Sequence, residues 1–455
     1  MLPQTGDLAY RAARGRLVAQ YRALPAGTSV RLAKPTSNLF RLRQPAAALL
    51  DVTGLDRVLH VDPVARTADV AGMTTYEDLV AATLPHGLMP AVVPELRTIT
   101  LGGAVTGLGV EASSFRAGLP HESVRELEVL TGDGQVVVAT AGGEHAALYA
   151  GFPNSYGTLG YALRLLVDLV PVQPFVRLRH EHFEDAAQYF AAMAATCADA
   201  DATGVDFVDG VVFGPTSHVL TTGTFTDTAP YTSDYTGRQI YYRSLLGRRD
   251  DYLGVEEFLW RWDTDWFWCS RALGVQHPLV RPLVPRRLRR SDVYSRLVTF
   301  ERRHGVVGRL THPRGAPARE AVIQDVELAV GAAAEFLDFF HAEVGISPVW
   351  ACPMRLARTD VTWSLYPLDP DTLYINLGFW STVELPPGRA DGHYNRLVEE
   401  RVSALGGAKS LYSSSFYSAE DFWDRYNGPA YQVLKKTYDP DGRLLDLYDK
   451  CVRGR

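Results

Sequence analysis

The sequence predicts an α+β protein of two domains, the second an antiparallel-sheet cap over the first. Three observations lead there. At 455 residues the chain exceeds what one ordinary hydrophobic core serves. Up to about residue 173 it reads as short β-rich runs punctuated by glycine. Beyond that point the order strand, helix, strand, strand occurs twice, as in a helix-backed antiparallel sheet.

Taken in order, residues 7–23 read as an amphipathic helix, and "SVRLAKPTSNLFRL" as strand, polar loop, strand. "RTADVAGMTTYEDLVAATLPHG" predicts a strand, a turn and a helix that stops at Gly87. In "VRELEVLTGDGQVVVAT" two β-rich runs flank Gly132-Asp133-Gly134, a strong hairpin signal. "GTLGYALRLLVDLVPV" adds a glycine-led apolar run ending at Pro171. In the second domain, "VRLRHEHF" predicts a strand, "EDAAQYFAAMAATCADA" a helix, and "VDFVDGVVF" with "HVLTTGTFTD" a strand pair. The order returns in "EAVIQDVELAV", "GAAAEFLDFFHAEV", "PVWACPMRL" and "TLYINLGFW". Between these units lies an aromatic and arginine-rich excursion over residues 239–300. The expected division is 1–173, 174–425 and a C-terminal segment 426–455 that returns to the first domain.

Composition narrows the function classes. Hydrophobic residues make up 46% and charged residues 22%, as in a globular protein. A net charge of −6 argues against nucleic acid as a partner. No apolar run reaches the length of a membrane span, and the N-terminus lacks a signal-peptide core. The four cysteines are far apart, without the spacing of a zinc site or a disulfide framework, so a cytoplasmic protein without metal is expected.

The most informative stretch is "PELRTITLGGAVTGLGVEASSFRAG", Pro94 to Gly118, rich in glycine and hydroxyl residues and poor in apolar bulk. Gly107 to Ala112 fits the letters of the dinucleotide fingerprint, but that motif needs a strand before it and a helix at its end, and "SSFRAGLPHES" is poor helix. A glycine-rich surface loop is the bland alternative. The favoured reading is a pair of close-approach turns whose main-chain N–H groups line a long, flat, anionic ligand, because glycine lets backbone touch a ring or a pyrophosphate where a β-carbon would clash. Thr100, Thr106, Ser113 and Ser114 would add neutral hydrogen bonds.

That stretch, with "ELEVLTGDG" and "GTLGYALRLLVDLVP" after it, resembles the PCMH-type FAD-binding domain of the vanillyl-alcohol-oxidase superfamily. Within it the chain is most similar to the delta-24 sterol reductase (Diminuto/Seladin) group. "FVDGVVFGPTSHVLTTGTFTD", "VIQDVELAV", "PVWACPMRL", "YINLGFW" and "LYSSSFYSAEDFWDRYNG" carry the likeness to the end of the chain. The resemblance implies a two-domain flavoprotein with a cap that closes over the flavin. Carried over by position, it implies FAD contacts from Thr100, Leu101, Gly102, Gly103, Thr106, Gly107, Gly109, Glu111 and Ser113, with Pro94 and Glu95 before them. Gly157, Thr158 and Gly160 would form a later wall. Where the superfamily has a glycine-rich pyrophosphate loop this chain has "KPTSN", in which Lys34, Ser37 and Asn38 would serve the phosphates. Many relatives tether FAD to a histidine in that loop. None occurs here before His60, so the expected FAD is non-covalent.

For the chemistry, "GGAKSLYSSSF" stands where sugar and alditol oxidases carry a basic run, which weakens an alcohol-oxidation reading. Tyr412 matches a tyrosine of the sterol-reductase group and can protonate an alkene carbon as hydride reaches its neighbour; its bland role is aromatic packing. Asp325 either faces the site or orients an arginine. Glu126 either holds the ligand or makes an ion pair, and His121 reads as a solvated loop residue. The four tryptophans Trp260 to Trp268 would line an apolar substrate tunnel or bury a homodimer interface. The run "HPLVRPLVPRRLRR", 277–290, reads either as a peripheral contact with an anionic membrane or as a surface loop paired with acidic groups. The expected reaction is reduction of an isolated C=C bond in a sterol, terpenoid or isoprenoid side chain, with NADPH as donor. The alternative is an alcohol oxidase or dehydrogenase that passes electrons to dioxygen or a quinone. The family's membrane members carry an N-terminal anchor that is not seen here, which suggests a soluble form, peripheral to membranes at most.

Overall fold

A computed structural model describes residues 5–25, 27–34, 40–41, 46–304 and 317–454. It contains two large antiparallel sheets. In the first, strands run in the order 58–62, 67–71, 161–171, 124–130, 136–139, and strand 88–90 pairs with the far end of 161–171. The Gly132-Asp133-Gly134 turn joins 124–130 to 136–139 as the hairpin signal requires, with Leu130 opposite Val136 and Gly134 at φ +79°. The helix Tyr76–Thr83 starts where Thr75 accepts a hydrogen bond from the Asp78 amide, and the turn after it closes on Gly87 at φ +66°.

One local expectation needs correction. The strand expected first, 30–32, is present, but its partner lies beyond the predicted stretch: it pairs in parallel with 48–50. Parallel pairing needs a crossover instead of a tight turn, which is why no local turn signal announces it. The amphipathic helix is present as Thr5–Ala23, and its Tyr10, Leu17 and Tyr21 are buried against Leu50, Leu55 and Leu130.

The second sheet has eight strands, ordered 250–254, 175–183, 217–226, 207–214, 349–354, 374–384, 319–329, 408–409. Three helices, 186–198, 330–343 and 393–404, cover one face through Val208, Val212, Val322, Val326, Phe336, Phe340 and Phe379. Side chains alternate across a strand, so with Val322 and Val326 on the helix side, Asp325 and Glu327 point to the other face. That face lies over the glycine segment: the Val208 amide donates to Ala112 O at 2.8 Å, and the Ala357 and Arg358 amides both donate to the Glu122 carboxylate at 2.8 Å.

The last residues pack on the first sheet's side. Lys435 Nζ donates to Thr158 O at 2.9 Å, the Gly132 amide to Tyr438 O at 2.7 Å, and Lys450 Nζ to Tyr156 O at 2.6 Å. Among the described residues no helix is long and apolar enough to cross a membrane, and no group of side chains is spaced to hold a metal.

Candidate active site

Between the first sheet and the bare face of the second lies a cavity of about 500 Å³. Its floor is the glycine segment. Leu101–Thr106 is a short helix here instead of a turn, capped by Thr100 Oγ1, which accepts from the Gly103 amide at 3.2 Å. The helix lies directly on backbone: the Gly102 amide donates to Gly72 O at 2.9 Å, and a β-carbon on Gly102 would approach that oxygen to 2.7 Å. Gly102 therefore has a packing role as well, letting the helix sit on the strand. Beyond Gly107 the main chain to Glu111 is non-helical and borders the cavity.

The other walls are strained. Tyr156, Trp266 and Phe267 all line the cavity and have left-handed backbones, at φ 50°, 49° and 58°. Non-glycine residues hold that conformation only where their surroundings impose it, and such positions gather at ligand sites. Trp266 stacks on Phe40 at 5.5 Å, and Phe267 meets Trp350 and Trp380 at 5.5 and 4.5 Å, which makes an aromatic ceiling.

One polar chain interrupts that ceiling. The Trp380 indole N–H donates to the Tyr412 hydroxyl at 2.8 Å, and Tyr412 is in turn hydrogen-bonded to Asp325. An indole can only donate, so the tyrosine's own hydrogen is left to turn toward Asp325 or the cavity. Burial pushes the Asp325 carboxyl up to about 7, against the opposing pull of hydrogen bonds from Asn376 and Tyr412. Burial, followed by the Asp325 charge, holds Tyr412 well above its ordinary value, so it stays an O–H. Glu327, two residues along the same face, is raised to about 8 by burial while hydrogen-bonded to Tyr366 and Ser410.

A second buried cluster borders the glycine segment. Arg261 contacts Glu95 and Asp209, each at 2.8 Å, and the Glu95 amide donates to the Glu111 carboxylate at 3.0 Å. Burial raises both glutamates, and the Arg261 charge opposes it. Three carboxyls around one guanidinium tie the glycine segment to the second sheet and to the tryptophan-rich excursion.

The cavity lining also includes the cations Arg31, Lys34, Arg41 and Lys450. Arg41 donates through Nη1 to Lys450 O at 2.9 Å, while its buried Nε and Nη2 have no hydrogen-bond partner among the described residues. A buried guanidinium with two idle donors points to an anion.

Comparison with known proteins adds what the geometry leaves open. Residues 22–140 match the family model described as an FAD binding domain. Over 89% of its length the chain is also 25% identical to the Delta(24)-sterol reductase of Arabidopsis thaliana, covering 77% of that protein. It is 24% identical to the Homo sapiens Delta(24)-sterol reductase, again over 89% of this chain and 76% of that protein. A shorter similarity, 31% over 126 residues, links it to the decaprenylphosphoryl-beta-D-ribose oxidase of Mycolicibacterium smegmatis, covering 28% of this chain and 27% of that one.

The cavity fits FAD: idle arginine donors in its lining suit a pyrophosphate, and bare main chain with aromatic side chains suits a flat ring system. Of the residues singled out in the sequence, Lys34, Pro94, Glu95, Thr100, Gly102, Gly103, Thr106, Gly107, Gly109, Glu111, Gly157, Asp325 and Tyr412 line it together. Four others stand behind the lining. Leu101 is core, and the Ser113 hydroxyl donates to Ala91 O at 2.9 Å. The Thr158 hydroxyl donates to Ser155 O at 2.7 Å, and a β-carbon on Gly160 would approach Leu130 O to 2.7 Å, so Gly160 serves strand packing. Ser37 and Asn38 lie outside the described residues.

Several secondary expectations resolve against function. Glu126 pairs with Arg164 at 2.7 Å across the first sheet. His121 is not solvated but buried, edge-on to Trp363 at 4.4 Å, because Pro120 and Glu122 turn it inward. Trp260, Trp262 and Trp268 are core of this chain, and Trp266 is the member of that stretch that reaches the cavity. Sequence reasoning missed Arg41, Trp350, Trp380 and Phe267. Arg41 had a usable signal, a cation beside an aromatic close after "KPTSN"; the other three are recognisable only once the sheets face each other.

Proposed function

We propose that the protein is an FAD-dependent reductase of an isolated C=C bond in an apolar sterol, terpenoid or isoprenoid chain, with NADPH as the electron donor. The observation that carries this reading is the Trp380–Tyr412–Asp325 chain, a proton source set in an aromatic ceiling opposite the glycine segment. The similarity to Delta(24)-sterol reductases over most of the chain supports the same reading.

Bound and reduced FAD would supply a hydride to one alkene carbon. Arg41 and Lys34 would hold its phosphates, and the main chain from Gly102 to Glu111 would approach it closely. The protein's own task is the matching proton. Tyr412 holds it at the hydroxyl, with Trp380 occupying an oxygen lone pair and Asp325 behind it. As the neighbouring carbon takes up hydride, the tyrosine gives its proton to the second alkene carbon, and the neutral Asp325 carboxyl restores it. A carboxyl near 7 stores that proton at physiological pH, whereas an exposed aspartate would not. Trp266, Phe267 and Trp350 exclude water, which protects a step that needs one proton at one place.

The local similarity to decaprenylphosphoryl-beta-D-ribose oxidase supports a second reading, oxidation of an alcohol on a lipid-linked substrate. Against it, no histidine lines the cavity among the described residues, and the acid in place is poised to give a proton. Anaerobic stopped-flow separates the two. NADPH should bleach the flavin, and an isoprenoid alkene should restore its absorbance. Bleaching by an alcohol, followed by rapid recovery in air with peroxide, would overturn the reductase reading.

A further inference from the structure

The excursion between the two strand–helix–strand–strand units ends in a surface that is inside out. From Trp266 to Ser291 the chain contains six arginines and not one aspartate or glutamate, although the whole protein carries −6. Within this stretch two of the arginines are buried and the leucines are not. Arg281 is 2% exposed and Arg289 6%, whereas Leu279 is 76% exposed and Leu283 81%. Val280 and Leu288 are also exposed.

The buried arginines lock this arrangement. Arg281 pairs with Asp265 at 2.6 Å and donates to the Gly237, Tyr235 and Gln239 carbonyls. Arg289 donates to the carbonyls of Val284, Thr236, Gly237 and Arg281. Two short 3₁₀ turns, 281–283 and 286–288, follow each other between these anchors. The leucines are therefore held out by a satisfied internal network. Arg286 and Arg287 stand exposed beside them, Arg286 with one exposed partner, Asp234 at 3.0 Å. On the inner side, Val284 packs in one cluster with Trp266, Phe40 and Leu96, all of which line the cavity.

We propose that this surface, Leu279, Val280, Leu283 and Leu288 with Arg286 and Arg287, docks the protein onto an anionic lipid bilayer. Rigidly presented leucines enter the acyl boundary and the arginines meet the headgroups, the pairing of apolar burial and charge that interfacial binding requires. Such an attachment places lipid against the outer side of the cavity's aromatic wall. An apolar substrate dissolved in the bilayer would then be near its site. The docking itself does not depend on which reaction the cavity performs.

The test is vesicle flotation of the full, FAD-loaded chain. With phosphatidylcholine vesicles containing phosphatidylglycerol the protein should float, and with phosphatidylcholine alone it should stay largely at the bottom. Leu279→Ser with Leu283→Ser, and separately Arg286→Glu with Arg287→Glu, should each lower the bound fraction about tenfold or more, the arginine-dependent part also falling with salt. Both pairs are exposed, so melting and flavin content should stay unchanged. Val64→Ser, an exposed apolar position in the first sheet's hairpin, should bind as the parent does. Absence of flotation on anionic vesicles, or flotation unaffected by either pair, overturns the proposal. A concentration-dependent dimer in sedimentation velocity that the leucine pair abolishes, without vesicle binding, reassigns the face to a second copy of the chain and equally overturns it.

Discussion

Asp325 stands directly opposite Gly378 in the antiparallel pairing of strands 319–329 and 374–384. A β-carbon on Gly378 would collide with the Asp325 carboxylate and the Trp380 ring. The missing side chain is thus what allows the acid and its tyrosine link to occupy one small volume. Gly378→Ala should cost about 1–3 kcal/mol of stability through overpacking. It should also slow turnover with alkene while leaving FAD affinity within about twofold. Thermal melts, flavin titration and turnover on the same preparation check this; unchanged turnover would detach Asp325 from the reaction.

The Asp325 proton gives the alkene step a pH dependence. Burial raises this carboxyl from 3.8 to about 7, so the acid form is present below that value and lost as pH rises through it. The rate of flavin reoxidation by alkene should fall across pH 7, and NADPH reduction of the flavin should not follow that curve. Asp325→Asn should remove the inflection and slow the alkene step by about 10²–10⁴-fold. Tyr412→Phe should slow the same step and leave NADPH reduction intact.

The same shift has a stability signature. Below 3.8 the carboxyl is neutral folded or unfolded; between 3.8 and about 7 the unfolded chain ionises while the folded one does not. The parent should therefore lose stability relative to Asp325→Asn as pH rises through that window, and the difference should be constant above it. Paired melting curves across the range measure this, and a constant difference throughout would mean the carboxyl ionises freely in the fold.

Arg41→Met should weaken FAD binding roughly 10–100-fold, the worth of a charge-assisted hydrogen bond to a phosphate. The methionine keeps most of the length and removes the two idle donors. Fluorescence titration of apoprotein with FAD reads the loss, and riboflavin, which has no phosphate, should bind parent and variant alike.

Denaturation should release all of the flavin. Among the described cavity residues there is no histidine to form a link, and burial pushes the Cys269 thiol up to about 12, which leaves almost no thiolate to attack. Acid precipitation followed by a spectrum of pellet and supernatant checks this; yellow colour retained in the pellet would show a covalent bond.

Much of both sheets was legible in the sequence because the signals are local. The Gly132-Asp133-Gly134 turn forces a hairpin, and the β-rich runs of the second domain recur in the order strand, helix, strand, strand. The pairing of 30–32 with 48–50 was not legible, since no turn residue announces a parallel partner. The tryptophan stretch misled for a related reason: residue type shows that Trp260, Trp262 and Trp268 seek burial, not whether a core or a ligand buries them.

What the sequence determined alone is most of the elements, the glycine segment with its need for close backbone approach, and the chemistry of Tyr412 and Asp325 as residue types. Tertiary structure decided which of them meet. Asp325, Trp380 and Tyr412 meet because strands 319–329, 374–384 and 408–409 lie side by side in one sheet, and Arg41 joins their cavity where the chain of the first domain packs against that sheet. The raised Asp325 carboxyl exists for the same reason: its proton affinity belongs to the water-poor space between the sheets, and no feature of the residues beside it in sequence encodes that.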